Sequence, residues 1–403
     1  MTIYYDIAAA VHRHPGLGRY ADSLARALLA EHGDALRLFY YGNAAAQPPA
    51  GLERLPRETV VAGRKRWRMQ VWAGQLLRRS FDHLLPGASL YHATEHLLMP
   101  LHGVPTVLTV HDLLFRTFPR YHKAQNYIYL NLAVPLYCRR ADAIVAVSEH
   151  TKRDLVRSYG VDPDRVTVIY EAAAAHLRPV PQEAVEAARA RYGLPERYLM
   201  TLCAIEPRKN HAGFLRAFER LSVEDPGLHW LIGGSVGWLY EGFFAALERS
   251  PVRERVILPG YIPDTDLAAV YGGALAFVFP SFGEGFGLGP LEAMACGTPV
   301  LSSDATSLPE VGGDAARYFD PHDTEGMVEA TRAVVGDAAL RAEMREKGLA
   351  QAARFSWARA ARETWGLYER VMDGSPGKCV GDCADKASDA AKSGRLGMTG
   401  AEE

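Results

Sequence analysis

The chain is poor in the features that mark secreted, membrane-spanning or nucleic-acid-binding proteins. Its 403 residues hold only five cysteines: Cys138, Cys203, Cys296, Cys379 and Cys383. An odd, scattered set is a poor disulfide framework and shows no zinc-ligand spacing, so a reducing cytoplasm is expected. Neither sign of charge is in excess. The formal net charge of −2 argues against a nucleic-acid partner held by general basicity. No apolar run approaches the roughly 20 residues that span a bilayer. The opening MTIYYDIAAAV lacks the basic start of a signal peptide and reads as a first strand.

What the chain does have is alternation. Short apolar runs such as LRLFYYG, PTVLTVHD and AIVAVSE alternate with helical patterns such as YADSLARALLAEHG. The second half repeats this style with RYLMTLCAI, LHWLIGG, LAFVFPS and PVLSSD. Such order implies parallel α/β sheets, and the length allows two of them. A proline-bearing polar stretch at 178–185 reads as the linker. The expected division is an N-terminal Rossmann-like domain over 1–177 and a C-terminal one over 178–355, facing each other across a cleft. An amphipathic helix over 356–372 is expected to pack back on the N-terminal domain. The small, polar stretch 373–403 reads as disordered.

The most informative stretch is FPSFGEGFGLGPLEAMACGTPV, residues 279–300. It reads as a strand end, a glycine-rich loop and a helix, and Glu284 and Glu292 bracket the glycines. Ligands of open parallel sheets bind beyond the carboxyl ends of the strands. Gly283, Gly285, Gly287 and Gly289 let the backbone approach a bulky anion, and the helix that follows aims free N–H groups at it. A carboxylate suits a vicinal diol because each oxygen accepts from one hydroxyl. Taken alone, the pair reads more readily as a capping glutamate plus an exposed helix glutamate. A second element, IEPRKN at 205–210, puts Arg208 and Lys209 at a strand end, where a diphosphate would need compensating charge.

Residues 256–321 specifically, and most of 1–372 more loosely, resemble the family 4 retaining glycosyltransferases of the GT-B fold. The resemblance implies that Glu284 contacts the donor sugar and Glu292 holds the nucleotide ribose. Amides around Gly285, Phe286, Gly287 and Leu288 would lie near the sugar and diphosphate. It also implies that Arg208 and Lys209 stabilise the leaving diphosphate, although Cys203 stands where many members carry glycine or arginine. Tyr261 and the turn at Gly16 and Gly18 are placed on the donor side. His111, in VHDLLF, would position the donor sugar or the acceptor hydroxyl, with Asp112 as the residue to orient it.

The partners implied are a nucleotide-sugar and a glycan, lipid-linked or small-molecule acceptor, with no cofactor and no metal. The segment HDLLFRTFPRYH resembles mannosyltransferases of surface-polysaccharide assembly, a resemblance that implies GDP-mannose as donor, with UDP-glucose next. Other readings are a sugar phosphorylase, an epimerase and a non-catalytic nucleotide-sugar-binding subunit. Gly16-Leu17-Gly18-Arg19-Tyr20-Ala21 fits a dinucleotide fingerprint, but LRLFYYGN offers no acidic residue for the ribose. Asp264-Thr265-Asp266 looks like a metal clamp and reads better as a helix cap. The segment 63–79, with six Lys/Arg and no acid, is a candidate peripheral contact on the inner face of the membrane. The favoured alternative is a helix packed on the N-terminal domain with a solvated basic face.

Overall fold

A computed structural model describes residues 1–374, so the expectations for 375–403, including Cys379 and Cys383, lie outside the described residues. Strands β1 (Ile3–Asp6), β2 (Leu36–Gly42), β3 (Arg57–Val61), β4 (Leu90–Ala93), β5 (Thr106–Val110), β6 (Ala143–Ala146) and β7 (Val166–Val168) form one parallel sheet in the order β3-β2-β1-β4-β5-β6-β7. Strands β8 (Tyr198–Leu202), β9 (His229–Gly233), β10 (Val256–Gly260), β11 (Ala276–Phe279), β12 (Val300–Ser303) and β13 (Ala316–Phe319) form a second, ordered β10-β9-β8-β11-β12-β13. The two orders reverse direction between β1 and β4 and between β8 and β11. Crevices that accept ligands open at such switch points. This is the GT-B architecture, two Rossmann-like units set face to face.

The central strands are short, mostly apolar and buried on both faces, as helices on either side require, while the edge strands β3, β10 and β13 are partly exposed. All four residues of β1, β4, β6 and β11 are buried. The opening strand is shorter than MTIYYDIAA suggests. Ala8–Val11 turns into a short helix, because the Asp6 carboxylate accepts from the Ala8 amide at 2.8 Å and ends the strand. The helix Leu17–His32 buries Tyr20, Ala21, Leu24, Ala25 and Leu28, a stripe at helical spacing.

The helix Trp357–Met372 starts at Ser356, whose hydroxyl accepts from the Arg359 amide at 3.2 Å. Its buried face carries Ala361, Trp365 and Tyr368 into the core of the first sheet, against Leu17–His32. There the Tyr368 hydroxyl and His92 Nδ1 lie 2.6 Å apart. The chain thus leaves the second unit and returns to the first.

The basic segment folds as the helix Arg64–Leu76. Trp67 and Val71 are buried in the first core, each worth about 1.5–3 kcal/mol of burial. Arg64, Lys65 and Arg66 are exposed, as are Met69, Leu76 and Leu77. No helix among the described residues is long and apolar enough to cross a membrane.

Candidate active site

The site is built where the two sheets meet. β11 ends at Phe279, and the glycine-rich loop that follows runs against the first unit rather than into open solvent. An added Cβ at Gly285 would lie 2.0 Å from the His111 carbonyl oxygen, and one at Gly283 would lie 2.8 Å from the Phe118 ring. Only glycine permits that approach. The Gly285 carbonyl accepts from the Ser148 hydroxyl at 2.6 Å and the Thr151 hydroxyl at 3.3 Å. Gly287 has φ +125°, a backbone conformation closed to most side chains, and starts the helix Leu288–Ala295.

Glu284 is 9% exposed and carries the densest set of polar contacts in the loop. Its Oε1 lies 2.8 Å from Lys209 Nζ and 3.0 Å from Arg208 Nη1, and also accepts from the Ser281 hydroxyl. Burial alone would raise this carboxyl. The two cations and the hydrogen bonds from Lys209 and Ser281 outweigh it and hold the group at about 2. Arg208 also donates to the Gly283 carbonyl at 2.6 Å and to Glu206 at 2.6 Å. Burial lowers its pKa, and Glu284 with Glu206 more than restores it.

Lys209 Nζ sits 5.1 Å over the Phe279 ring. Asn210 follows at φ +56° and leads into the helix His211–Glu224. Cys203 is a free thiol 3.6 Å from His211 Nε2, and burial pushes it up to about 12, so it supplies no thiolate here.

Glu292 is 3% exposed. Its carboxylate accepts from the Tyr271 hydroxyl at 3.2 Å and from Arg19, which reaches across from the first unit and also pairs with Asp264 at 3.2 Å. Burial raises the Glu292 carboxyl, and Arg19 and Tyr271 compensate only in part. Arg19 carried no signal of its own in the sequence beyond following the Gly16–Gly18 turn. Its partner is 273 residues away.

His111 directly follows β5 and is buried. Its orienting partner is not Asp112, as expected from adjacency. Nδ1 faces Glu171 Oε1 at 3.3 Å and Nε2 faces the Thr94 carbonyl at 2.9 Å. The Asp112 carboxylate instead accepts from the Leu114 amide and starts a short helix. Burial lowers the imidazole, and the Glu171 hydrogen bond and charge raise it above its ordinary value.

Of the remaining candidates, Gly16 (φ +73°) caps the helix that carries Arg19, and Gly18 packs against Ala9. The Phe286 side chain is buried against Tyr170 and Phe355, which leaves its backbone as the part able to meet a ligand. Leu288 is the first residue of the helix and is half-buried. Tyr261 is 71% exposed, and its side chain is not drawn into the cluster. The aspartates of 264–266 do not cap their helix through side chains. Pro263 stands at the cap, Asp264 pairs with Arg19, and Asp266 is taken by Arg191 and by the Tyr192 hydroxyl at 2.6 Å.

Residues 185–351 match the model of the glycosyl transferases group 1, and residues 15–173 match that of glycosyltransferase family 4. O-antigen chain mannosyltransferase B of Escherichia coli is 31% identical over 375 residues, covering 88% of this chain and 96% of that protein. The serotype-specific mannosyltransferase WbdA of Escherichia coli is 32% identical over 292 residues, which are 69% of this chain and 35% of WbdA. Among solved structures, Anabaena HepE in complex with UDP and glucose superposes with a TM-score of 0.72 at 18% identity, covering 92% of this chain and 99% of that one. Sucrose-phosphate synthase from Thermosynechococcus elongatus gives a TM-score of 0.74 at 20% identity, covering 93% and 100%.

Proposed function

The chain belongs to the family 4, group 1 glycosyltransferases, and from that membership we propose that it transfers mannose from GDP-mannose to a glycan hydroxyl in polysaccharide assembly. The anomeric configuration is retained and no metal takes part in this reading. UDP-glucose is the second candidate donor. The observation that carries the proposal is Glu284, pinned between Arg208 and Lys209 at the end of β11, with Glu292 eight residues on.

In this reading the diphosphate lies against Arg208 and Lys209. As the bond between the anomeric carbon and the phosphate oxygen breaks, the two cations compensate the charge that develops on the phosphate. Glu284, held ionised, accepts from sugar hydroxyls. Glu292 accepts from the ribose in place of its present hold on Arg19. The acceptor hydroxyl attacks from the face the phosphate leaves, and its proton passes to a departing phosphate oxygen. No carboxylate is assigned as a covalent nucleophile. Glu171 fixes the ring of His111, whose role is to position the sugar or acceptor. Apposition of the two units excludes water and limits donor hydrolysis.

Thermal unfolding with GDP, UDP, ADP, GDP-mannose and UDP-glucose tests the donor. A nucleotide at a hundred times its dissociation constant adds about 2.7 kcal/mol to a two-state unit. GDP and GDP-mannose are expected to stabilise the wild type and to lose most of that effect in Glu292→Ala. Stabilisation by UDP alone would overturn the choice of base, and stabilisation by none of them would overturn the nucleotide site.

The relationship to an O-antigen mannosyltransferase also favours a membrane-borne acceptor. Exposed Met69, Leu76 and Leu77 beside Arg64, Lys65 and Arg66 supply a surface for peripheral contact. Sedimentation with vesicles containing 30% anionic lipid should pull down the wild type at low salt, and a Leu76→Glu/Leu77→Glu variant several-fold less. Equal binding by both would remove this helix as the contact.

A further inference from the structure

Arg19 stands where its own helix gains nothing from it. It lies in the first turn of Leu17–His32, a turn without an acidic residue. The positive end of the helix dipole disfavours a cation there. Its backbone is nonetheless pinned on both sides. An added Cβ at Gly18 would lie 3.0 Å from the Ala9 carbonyl oxygen. Tyr20 is buried, with its ring edge-on to His111 and its hydroxyl 3.0 Å from Thr109 Oγ1. The Arg19 side chain is the free part: 37% exposed, it crosses to the second unit.

Two unlike carboxylates meet it there. Nη1 donates to Glu292 Oε1, and Nη2 donates to Asp264 Oδ1 at 3.2 Å. Glu292 is buried on the helix Leu288–Ala295, and its Oε2 accepts from the Tyr271 hydroxyl at 3.2 Å. Both of its oxygens therefore already have a donor, one from each unit. Asp264 opens the helix Asp264–Gly273 and is 56% exposed. The guanidinium presents its donors as a fork, so one nitrogen can keep Asp264 while the other leaves Glu292.

A ribose diol that takes Glu292 has to displace Arg19. We propose that Arg19 is an internal competitor for the ribose seat: it withdraws to Asp264 when a nucleotide enters, and its return to Glu292 releases the spent nucleoside diphosphate. The inference rests on the assignment of Glu292 to the ribose made above. Between turnovers Arg19 also spares the fold a buried, unpaired carboxylate. Only the fraction of the protein with Glu292 free can bind, so a competitor seated about nine-tenths of the time weakens the nucleotide about tenfold.

Calorimetry with GDP and UDP tests this at pH 8, which favours the ionised Glu292 once its cation is gone. Arg19→Ala is expected to bind the preferred nucleotide about tenfold more tightly than the wild type. Dissociation, followed by surface plasmon resonance, should slow by a similar factor. A merely structural role would move both the other way. The 2′,3′-dideoxy form of that nucleotide presents no diol, so its affinity should be the same in both proteins. Asp264→Asn, a change at an exposed position, removes the place to which Arg19 withdraws and should weaken the nucleotide about threefold. That loss should vanish in Arg19→Ala/Asp264→Asn, because the two residues act as a unit. Unchanged or weaker binding by Arg19→Ala would overturn the proposal, as would an equal gain for the dideoxy form. Unchanged binding by Asp264→Asn, or an Asp264 effect that persists without Arg19, would overturn it as well. Failure of the wild type and all variants to bind either nucleotide would instead sink the nucleotide-site reading on which the proposal stands.

Discussion

Replacing Arg208 with alanine is expected to lower the transfer rate about a thousandfold, the scale seen when one preorganised charge or donor is removed from a developing oxyanion. Arg208 is held from three sides, by Glu206, Glu284 and the Gly283 carbonyl. On the proposed reading its guanidinium would meet the diphosphate with little reorganisation. The same variant leaves two buried carboxylates short of a partner, and breaking a buried pair costs about 3–5 kcal/mol. Rates should therefore be measured below the variant's own melting transition.

Arg208→Lys separates the two effects. It keeps the charge, so stability should largely return, but it loses the fork that reaches Glu206 and Glu284 together, so activity should recover only in part. Steady-state kinetics with GDP-mannose would show the loss mainly in kcat. A fall confined to KM would mean that Arg208 binds the ground state and does not stabilise the leaving group.

Glu284 carries the second large effect, and it is read in stability against pH. Its carboxyl is held at about 2 in the fold, against 4.5 ordinarily. A depressed carboxyl contributes stability that is fully present above about 4.5 and is lost as pH falls towards 2. The gap corresponds to on the order of 3 kcal/mol. Urea unfolding of the wild type and Glu284→Gln from pH 7 down to pH 2.5 isolates this contribution, because the other carboxyls are common to both chains. The wild type should be the more stable by that amount at pH 7, with the difference shrinking below pH 4.5. A difference that stays constant with pH would show that Glu284 gains nothing from Arg208 and Lys209 in its ionised form. Glu284→Gln should also lose donor binding, since a neutral amide offers one acceptor where the carboxylate offers two.

Much of this protein was legible in order and spacing. Apolar runs too short for helices, alternating with amphipathic stretches, determine two parallel sheets, because each strand must be covered on both faces. Glycines packed between two glutamates after such a run, and Arg208-Lys209 after another, pointed to strand ends that the fold does bring together, with both cations on Glu284. Some elements were less visible: β3 (RETVV) and β4 (LYHA) are too short and too mixed to stand out from the loops around them. The amphipathic segment 63–79 announced a helix but not which of its apolar residues would be buried.

Only the tertiary structure decided how distant charges pair. Nothing local links Arg19 to Glu292 or Glu171 to His111. The sequence neighbour Asp112 is instead turned to local backbone, accepting from the Leu114 amide. Sequence spacing dictates contacts within one helix or strand, where the period is fixed. Contacts between strand ends depend on strand order and on how two sheets oppose, and no local periodicity encodes either.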